Sequence, residues 1–555
     1  MTFRYSGLNK KSQVKGEQMI DRRSFIGMCT VAAGTLAPHG RVAWADDGAA
    51  APATVATAAG KIRGTHTKGL YTFRGVPYAA TTAGAGRFQP PAKLKPWSEV
   101  RAASELGPRS PQLLSAFHGF VPHEVEVMDR DERMAEDCLV LNVWTPTLDA
   151  ARKLPVMVWL HGGGFTSGSG GFVIYDGNEL ARKHDVVVVT VNHRLSAFGY
   201  LYLAGFGSER YANASNAGNL DIIAALEWVR DNGPAFGGDP GNVTLFGQSG
   251  GGGKVSSLMA MPAAHGLFHR AVVQSGASVK GIAKDVATRN AESYLARLNL
   301  KPAQLDQLQD LPLAQLLKAT DPSSGPPINF GPVVDGRSLP NDPFDPTAPA
   351  LSASIPLLIG TVETEVTFFP GQQMDPIDDA GLHAAVKKLL RNASDADVDR
   401  VIAAYRTGRP QASNTDISLI MASDGFRAAI LLEADRKAAQ GGAAVYQYYF
   451  TWRSPVREGK LRTFHTLEIP FVFDNVDGGK AMTGTGQDRY ALATKMSDAW
   501  VAFARTGNPN TPGLPHWTAY DTTKRATMIL NNECRMVDDP HGTEQRLFWS
   551  LQGRT

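Results

Sequence analysis

The chain has 555 residues, with 56 Lys and Arg against 53 Asp and Glu for a formal net charge of +3, 43% hydrophobic residues and three cysteines. So few cysteines exclude a disulfide-framework scaffold, and a near-balanced charge with no basic run or stripe excludes the electrostatic footprint that nucleic-acid binding requires. The length admits either several domains of roughly 100–200 residues or one large α/β unit, so hydrophobic periodicity decides between them.

The N-terminus reads as a separate object. Residues 1–23 carry Arg4, Lys10, Lys11, Lys15, Arg22 and Arg23, followed by a moderately apolar stretch from Ser24 to Ala37 and then Ala43-Trp44-Ala45. A basic region, a short apolar region and an Ala-x-Ala site predict a signal peptide over 1–45, and Asp21-Arg-Arg-Ser-Phe25 has the form of a twin-arginine motif, which implies export of a folded protein. The apolar run falls short of the roughly 20 residues needed to span a bilayer, which argues against stable membrane insertion. Met28 before Cys29 is not the small residue that lipid attachment requires. Residues 46–555 are expected to form a single catalytic domain. Removing 1–45 takes away seven basic and two acidic residues and leaves a net charge of −2. A surface this close to neutral points to a small or neutral substrate rather than a charged polymer.

From about residue 155 apolar β-branched runs alternate with helical patterns. Pro155–Leu160 and Val186–Val191 lack polar alternation, as expected of parallel strands buried on both faces. Asp221–Val229 has the apolar spacing of a helix packed on a sheet. Val243–Phe246 predicts a strand and Gly250–Met261 the helix after it, with further strands at Arg270–Gln274, Pro356–Gly360 and Val445–Trp452. This alternation predicts an α/β class with a mostly parallel sheet flanked by helices. Two largely helical stretches, 278–350 and 374–440, read as insertions that either cap the active-site edge or pack peripherally.

Gly247-Gln-Ser-Gly-Gly251 lies between the predicted strand Val243–Phe246 and a helix. A strand-to-helix turn this tight needs small flanking residues and lifts the hydroxyl of Ser249 to the sheet edge as an exposed nucleophile. The same segment offers a decoy in Gly250–Lys254: a phosphate-binding loop needs Gly, four residues, then Gly-Lys-Ser/Thr, but position 255 is Val and the spacing fails. A serine nucleophile also needs donors for the oxyanion formed on attack. His161-Gly-Gly-Gly-Phe165, at the end of the strand Pro155–Leu160, has the HGGG form of an oxyanion loop, in which consecutive glycines let backbone N–H groups approach a substrate.

These motifs, with Phe73–Ala79, Arg87-Phe88, Glu136–Asn142, Asn192-His-Arg194, Phe236–Pro240 and Phe503–Asn510, resemble the type-B carboxylesterases, a family that includes bacterial para-nitrobenzyl-type esterases and the cholinesterases. The resemblance covers almost all of the chain after residue 45. It implies an α/β-hydrolase fold with a central mixed sheet, and a triad running Ser, Glu, His along the chain. Ser249 is then the nucleophile, and the N–H groups of Gly163, Gly164 and Gly250 are the oxyanion donors. The segment Gly360–Phe369 places the acid at Glu365, just before a Phe-Phe pair, with Glu363 as the rival; on an extended segment both share a face, so alternation does not separate them. Val366 stands where the family usually has Gly. Phe464–Phe473 resembles the family's His-x-x-Glu block and gives His465 as the base. Glu468, three residues on, has no third partner at metal-ligand spacing, so no metal and no organic cofactor are expected.

Two departures follow from the same resemblance. The family's upstream half-cystine position reads Ser110 here, so Cys138 is expected to lack its usual disulfide. Gln248 replaces the Glu that precedes the serine in cholinesterases, so choline-ester specificity is not implied. The reading is an exported serine hydrolase acting on small-molecule carboxylic esters through an acyl-enzyme. A thioesterase or amidase with the same triad is the alternative, as is a non-catalytic adhesion-type member of the fold, against which the three intact triad positions argue.

Overall fold

Thirteen strands join in one sheet among the described residues, which in this computed structural model are 50–113, 123–126, 129 and 132–553. They are β1 (Ala51–Ala56), β2 (Lys61–Thr67), β3 (Leu70–Pro77), β4 (Arg101–Ala102), β5 (Val140–Thr145), β6 (Leu154–Leu160), β7 (Val187–Val191), β8 (Gly238–Gln248), β9 (Arg270–Gln274), β10 (Leu357–Val362), β11 (Val445–Phe450), β12 (Ala526–Leu530) and β13 (Arg535–Asp538). The spatial order is β1-β2-β3-β5-β7-β6-β8-β9-β10-β11-β12-β13, with β4 beside β2. From β7 across to β12 every neighbouring pair is parallel. The β1-β2-β3-β5-β7 side and the β12-β13 edge are antiparallel. The segment 1–45 lies outside the described residues.

The parallel block is apolar on both faces because helices cover both. Along β6, Val156, Val158 and Leu160 enter one core cluster, and Met157 and Trp159 enter the other. The period-2 alternation of a strand thus divides one unbroken apolar run between two layers. The first cluster is closed by Ile222, Leu226 and Val229 of helix Ala217–Asn232. The second is closed by Leu492, Met496 and Trp500 of helix Asp488–Thr506.

The predicted strands and helices are present with shifted ends: Asp221–Val229 is the middle of helix Ala217–Asn232, Val243–Phe246 falls inside β8, and the helix after Ser249 stops at Leu258. The antiparallel strands before residue 155 carried no comparable signal. The 374–440 stretch forms helices Asp379–Leu390, Asp395–Gly408 and Asn414–Ala439, the last of which reaches the rings of His465 and Phe369 through Phe426. The 278–350 stretch, with helices Lys284–Arg297 and Leu313–Lys318, packs around Phe88, Phe198 and Tyr200, with Phe165 of the glycine loop against that cluster.

Motifs far apart in sequence meet as buried ion pairs. Arg87 grips Glu136 through Nε at 2.6 Å and Nη2 at 2.8 Å. Arg194 grips Asp221 through Nε at 2.8 Å and Nη2 at 2.6 Å. Two parallel N–H bonds fix the guanidinium plane as well as neutralising the charge. Cys138 and Cys534 are both free, and Cys138 is buried with the Ser110 side chain hydrogen-bonded to it; burial pushes its thiol up to about 12.

Candidate active site

Strand β8 ends at Gln248, and the helix Gly250–Leu258 starts one residue later. The chain makes this turn only by placing Ser249 at φ 57°, ψ −127°, a region that costs a non-glycine residue on the order of 1–3 kcal/mol. The glycines around it are set by close approach. A Cβ on Gly251 would lie 1.9 Å from the carbonyl oxygen of Leu160 at the end of β6, and one on Gly250 would lie 2.0 Å from the carbonyl oxygen of Gly164. The elbow and the glycine loop are therefore packed backbone to backbone.

His465 sits opposite, 2% exposed, and its Nδ1 lies 2.5 Å from Glu365 Oε2. The other oxygen of Glu365 accepts from the N–H of Val362 at 3.1 Å. With Nδ1–H donating to the carboxylate, Nε2 is left as an acceptor, and Gln248 Nε2 lies 3.2 Å from it. The rings of Phe368, Phe369 and Phe426 stand 5.3, 5.7 and 5.4 Å from the imidazole. Ser249, His465 and the Gly162–Gly164 backbone line one cavity of about 300 Å³, whose walls include Ile174, Tyr175, Phe368 and Phe369.

Glu363 lies elsewhere. The chain is extended through β10 only to Val362 and then turns into the short 3₁₀ helix Glu365–Phe368, so the two carboxylates do not share a face. Glu363 is 3.7 Å from Arg453 and lines a separate cleft of about 570 Å³; burial pushes its carboxyl up.

His161 and His193 stack on one another with ring centroids 4.7 Å apart. Burial, reinforced by the charge of Lys254, pushes His161 down to about 3 and His193 well below its ordinary value. Both are therefore neutral packing groups. Glu468 is wholly buried, and burial together with the nearby Glu365 charge pushes it up to about 8, which favours its neutral form. Sequence reasoning missed Phe426, which arrives from an insertion with no motif to announce it, and the contact of Gln248 with the imidazole.

A serine raised on a strained elbow at the C-terminal edge of a parallel sheet, facing a buried His-Glu pair, defines a serine hydrolase of the α/β-hydrolase fold. The model of the carboxylesterase family matches residues 51–549, and the chain belongs to that family. The para-nitrobenzyl esterase of Bacillus subtilis (strain 168) is 37% identical over 510 residues, covering 90% of this chain and 99% of that protein. The phenmedipham hydrolase of Pseudarthrobacter oxydans is 33% identical over 86% of this chain and 94% of its own length. Among solved structures, the Geobacillus stearothermophilus carboxylesterase EST55 superimposes with a TM-score of 0.76 at 36% identity, covering 89% of this chain and 99% of that one. An esterase of Clostridium hathewayi gives 0.79 at 34%, covering 91% and 100%. The protein is a carboxylic ester hydrolase.

Proposed function

We propose that Ser249 attacks the ester carbonyl, that His465 takes its proton and returns it to the leaving alcohol, and that Glu365 holds the imidazole tautomer and stabilises its charged form. The N–H groups of Gly163, Gly164 and Gly250 receive the oxyanion. The observation that carries this assignment is the 2.5 Å bond between His465 Nδ1 and Glu365, which leaves Nε2 as the acceptor nitrogen of a ring that lines the same cavity as Ser249. The chemistry is a two-step acyl transfer: Ser249 Oγ bonds to the carbonyl carbon as the alcohol leaves, and water then releases the acid.

The substrates are esters with a compact acyl group and an aryl or benzyl alcohol. A cavity of about 300 Å³ walled by Phe368, Phe369 and Tyr175 supports this, since it lies at the small end of ligand pockets and offers ring faces for stacking. A relative named para-nitrobenzyl esterase, at 37% identity, supports the benzyl-alcohol side of this class. In a p-nitrophenyl ester series, kcat/KM is expected to peak at acetyl to butyryl esters and to fall by about tenfold or more at dodecanoyl, since a chain longer than the cavity leaves its apolar tail in water. A profile rising toward dodecanoyl overturns the compact-pocket reading.

We also propose that the protein is exported folded, on the strength of Arg22-Arg23, the weak apolar stretch and Ala43-Trp-Ala45. Replacing both arginines with lysine is expected to leave uncleaved precursor in the cytoplasm, read by N-terminal sequencing of each fraction. Unchanged recovery of chains beginning at Asp46 outside the cytoplasm points instead to the general secretory route.

A further inference from the structure

The Gly-Gly-Lys that ends the false phosphate loop has a place in this site. Lys254 lies in the helix that begins at Gly250, is 0% exposed, and is paired with no carboxylate among the described residues. Its Nζ donates instead to two backbone carbonyls, those of His161 at 3.1 Å and Gly164 at 2.9 Å, and stands 5.2 Å from the centroid of the Phe165 ring. A desolvated ammonium without a counter-charge is costly, and here burial pushes the amine down to about 7. A methionine or leucine would fill such a position at no electrostatic cost, so packing alone does not explain the lysine.

The carbonyls of the glycine loop supply the explanation. That of Gly162 accepts from His161 Nδ1 at 2.7 Å. That of Gly163 accepts from the N–H of Ser167 at 3.1 Å and of Thr166 at 3.3 Å. The two that remain, at His161 and Gly164, are held by Lys254 alone among the described residues. All four consecutive carbonyls are thereby tied down, while the N–H groups of Gly163 and Gly164 meet no acceptor among the described residues. A trans peptide plane joins the C=O of one residue to the N–H of the next, pointing opposite ways, so the anchored carbonyls of Gly162 and Gly163 set the N–H directions of Gly163 and Gly164, and the planes immediately before and after these two are the ones that Lys254 holds.

We infer that Lys254 is a positioning residue of the oxyanion hole: it clamps the His161-Gly162 and Gly164-Phe165 peptide units, which flank the two units that carry the N–H groups of Gly163 and Gly164, so that the loop between them cannot turn those N–H groups away from the reacting carbonyl. This rests on the assignment of those N–H groups as oxyanion donors. Gly250 and Lys254 are four residues apart and lie on one face of one helix. A single element thus offers the third donor with its first residue and, with its fifth, clamps the peptide units that flank the other two.

The test compares wild type, Lys254→Met and Lys254→Gln, the last keeping an N–H donor. Each is measured for kcat and KM on p-nitrophenyl acetate, and for inhibition by a trifluoromethyl ketone and by its unfluorinated counterpart. The fluorinated ketone forms a tetrahedral oxyanion on the serine, whereas the unfluorinated one reports ground-state binding. Lys254→Met is expected to lower kcat by about 10–100-fold, less than removal of a donor outright. KM should stay within about twofold, affinity for the fluorinated ketone should fall by the same factor as kcat, and affinity for the unfluorinated ketone should be unchanged. Lys254→Gln should recover part of the loss.

Wild-type kcat in the folded Met variant overturns the inference, as does a loss falling equally on both ketones, which a general loosening of the pocket produces. If Lys254→Met does not fold, Lys254→Gln decides: wild-type kcat there overturns the inference, and a loss confined to kcat and the fluorinated ketone supports it. Fluorophosphonate labelling of wild type separates the two layers of the argument. Absence of label on Ser249 removes the site assignment itself, while label on Ser249 with an unaffected Lys254→Met enzyme removes only the clamp.

Discussion

Ester turnover is expected to fall by on the order of 10⁶ when Ser249 is replaced by alanine, to the level that oxyanion donors and substrate binding sustain without a nucleophile. Fluorophosphonate labelling should vanish with it. The fold should be untouched, because alanine keeps the Cβ and inherits the same φ of 57° and ψ of −127°. Ser249→Gly makes a second comparison. Glycine occupies that region without steric cost, so it should melt above Ser249→Ala while being equally inactive, the greater conformational entropy of glycine in the unfolded chain offsetting part of the gain. Labelling that persists in either variant places the nucleophile at another residue.

Glu365→Gln is expected to lower kcat by on the order of 10⁴, because an amide beside Nδ1 stabilises the wrong imidazole tautomer and provides no negative charge for the imidazolium. KM should change little, since Glu365 is wholly buried behind His465 and bonds to it rather than to substrate. Glu363→Gln should remain close to wild type: that side chain faces Arg453 across 3.7 Å in a different cleft. The pair of variants is read by steady-state kinetics on one ester. A large loss in Glu363→Gln with little in Glu365→Gln would contradict the arrangement in which Glu365 serves the imidazole.

The parallel half of the sheet was readable because strands buried on both faces leave unbroken apolar runs such as Val156–Leu160, flanked by helices with 3.6-residue spacing. The antiparallel half was not. In β2, Lys61, Arg63 and Thr65 alternate with Ile62 and Gly64, a short half-exposed pattern that looks like many loops. The elbow serine and the HGGG loop were legible because their backbone geometry admits few residues besides glycine. The choice between Glu363 and Glu365 was not settled by alternation, because the segment leaves strand geometry after Val362 and turns. Lys254 was visible only as a failed motif: nothing in a linear pattern says that a lysine four residues into a buried helix will end on two carbonyls contributed by another strand's loop.

The free thiol of Cys138, lying against Ser110, bears on where this fold can be completed. Small exported domains often depend on an oxidant, because a bridge must close before the native state outcompetes its unfolded ensemble. Here neither of the described cysteines is paired, and the apolar clusters on the two faces of the sheet provide the cohesion that a bridge would otherwise add. Folding is then indifferent to the ratio of reduced to oxidised glutathione around the chain, and a cytosol that keeps thiols reduced is as good a place to finish it as an oxidising one. A carrier that moves only finished proteins across a membrane could accept this chain without any step of disulfide chemistry on the far side.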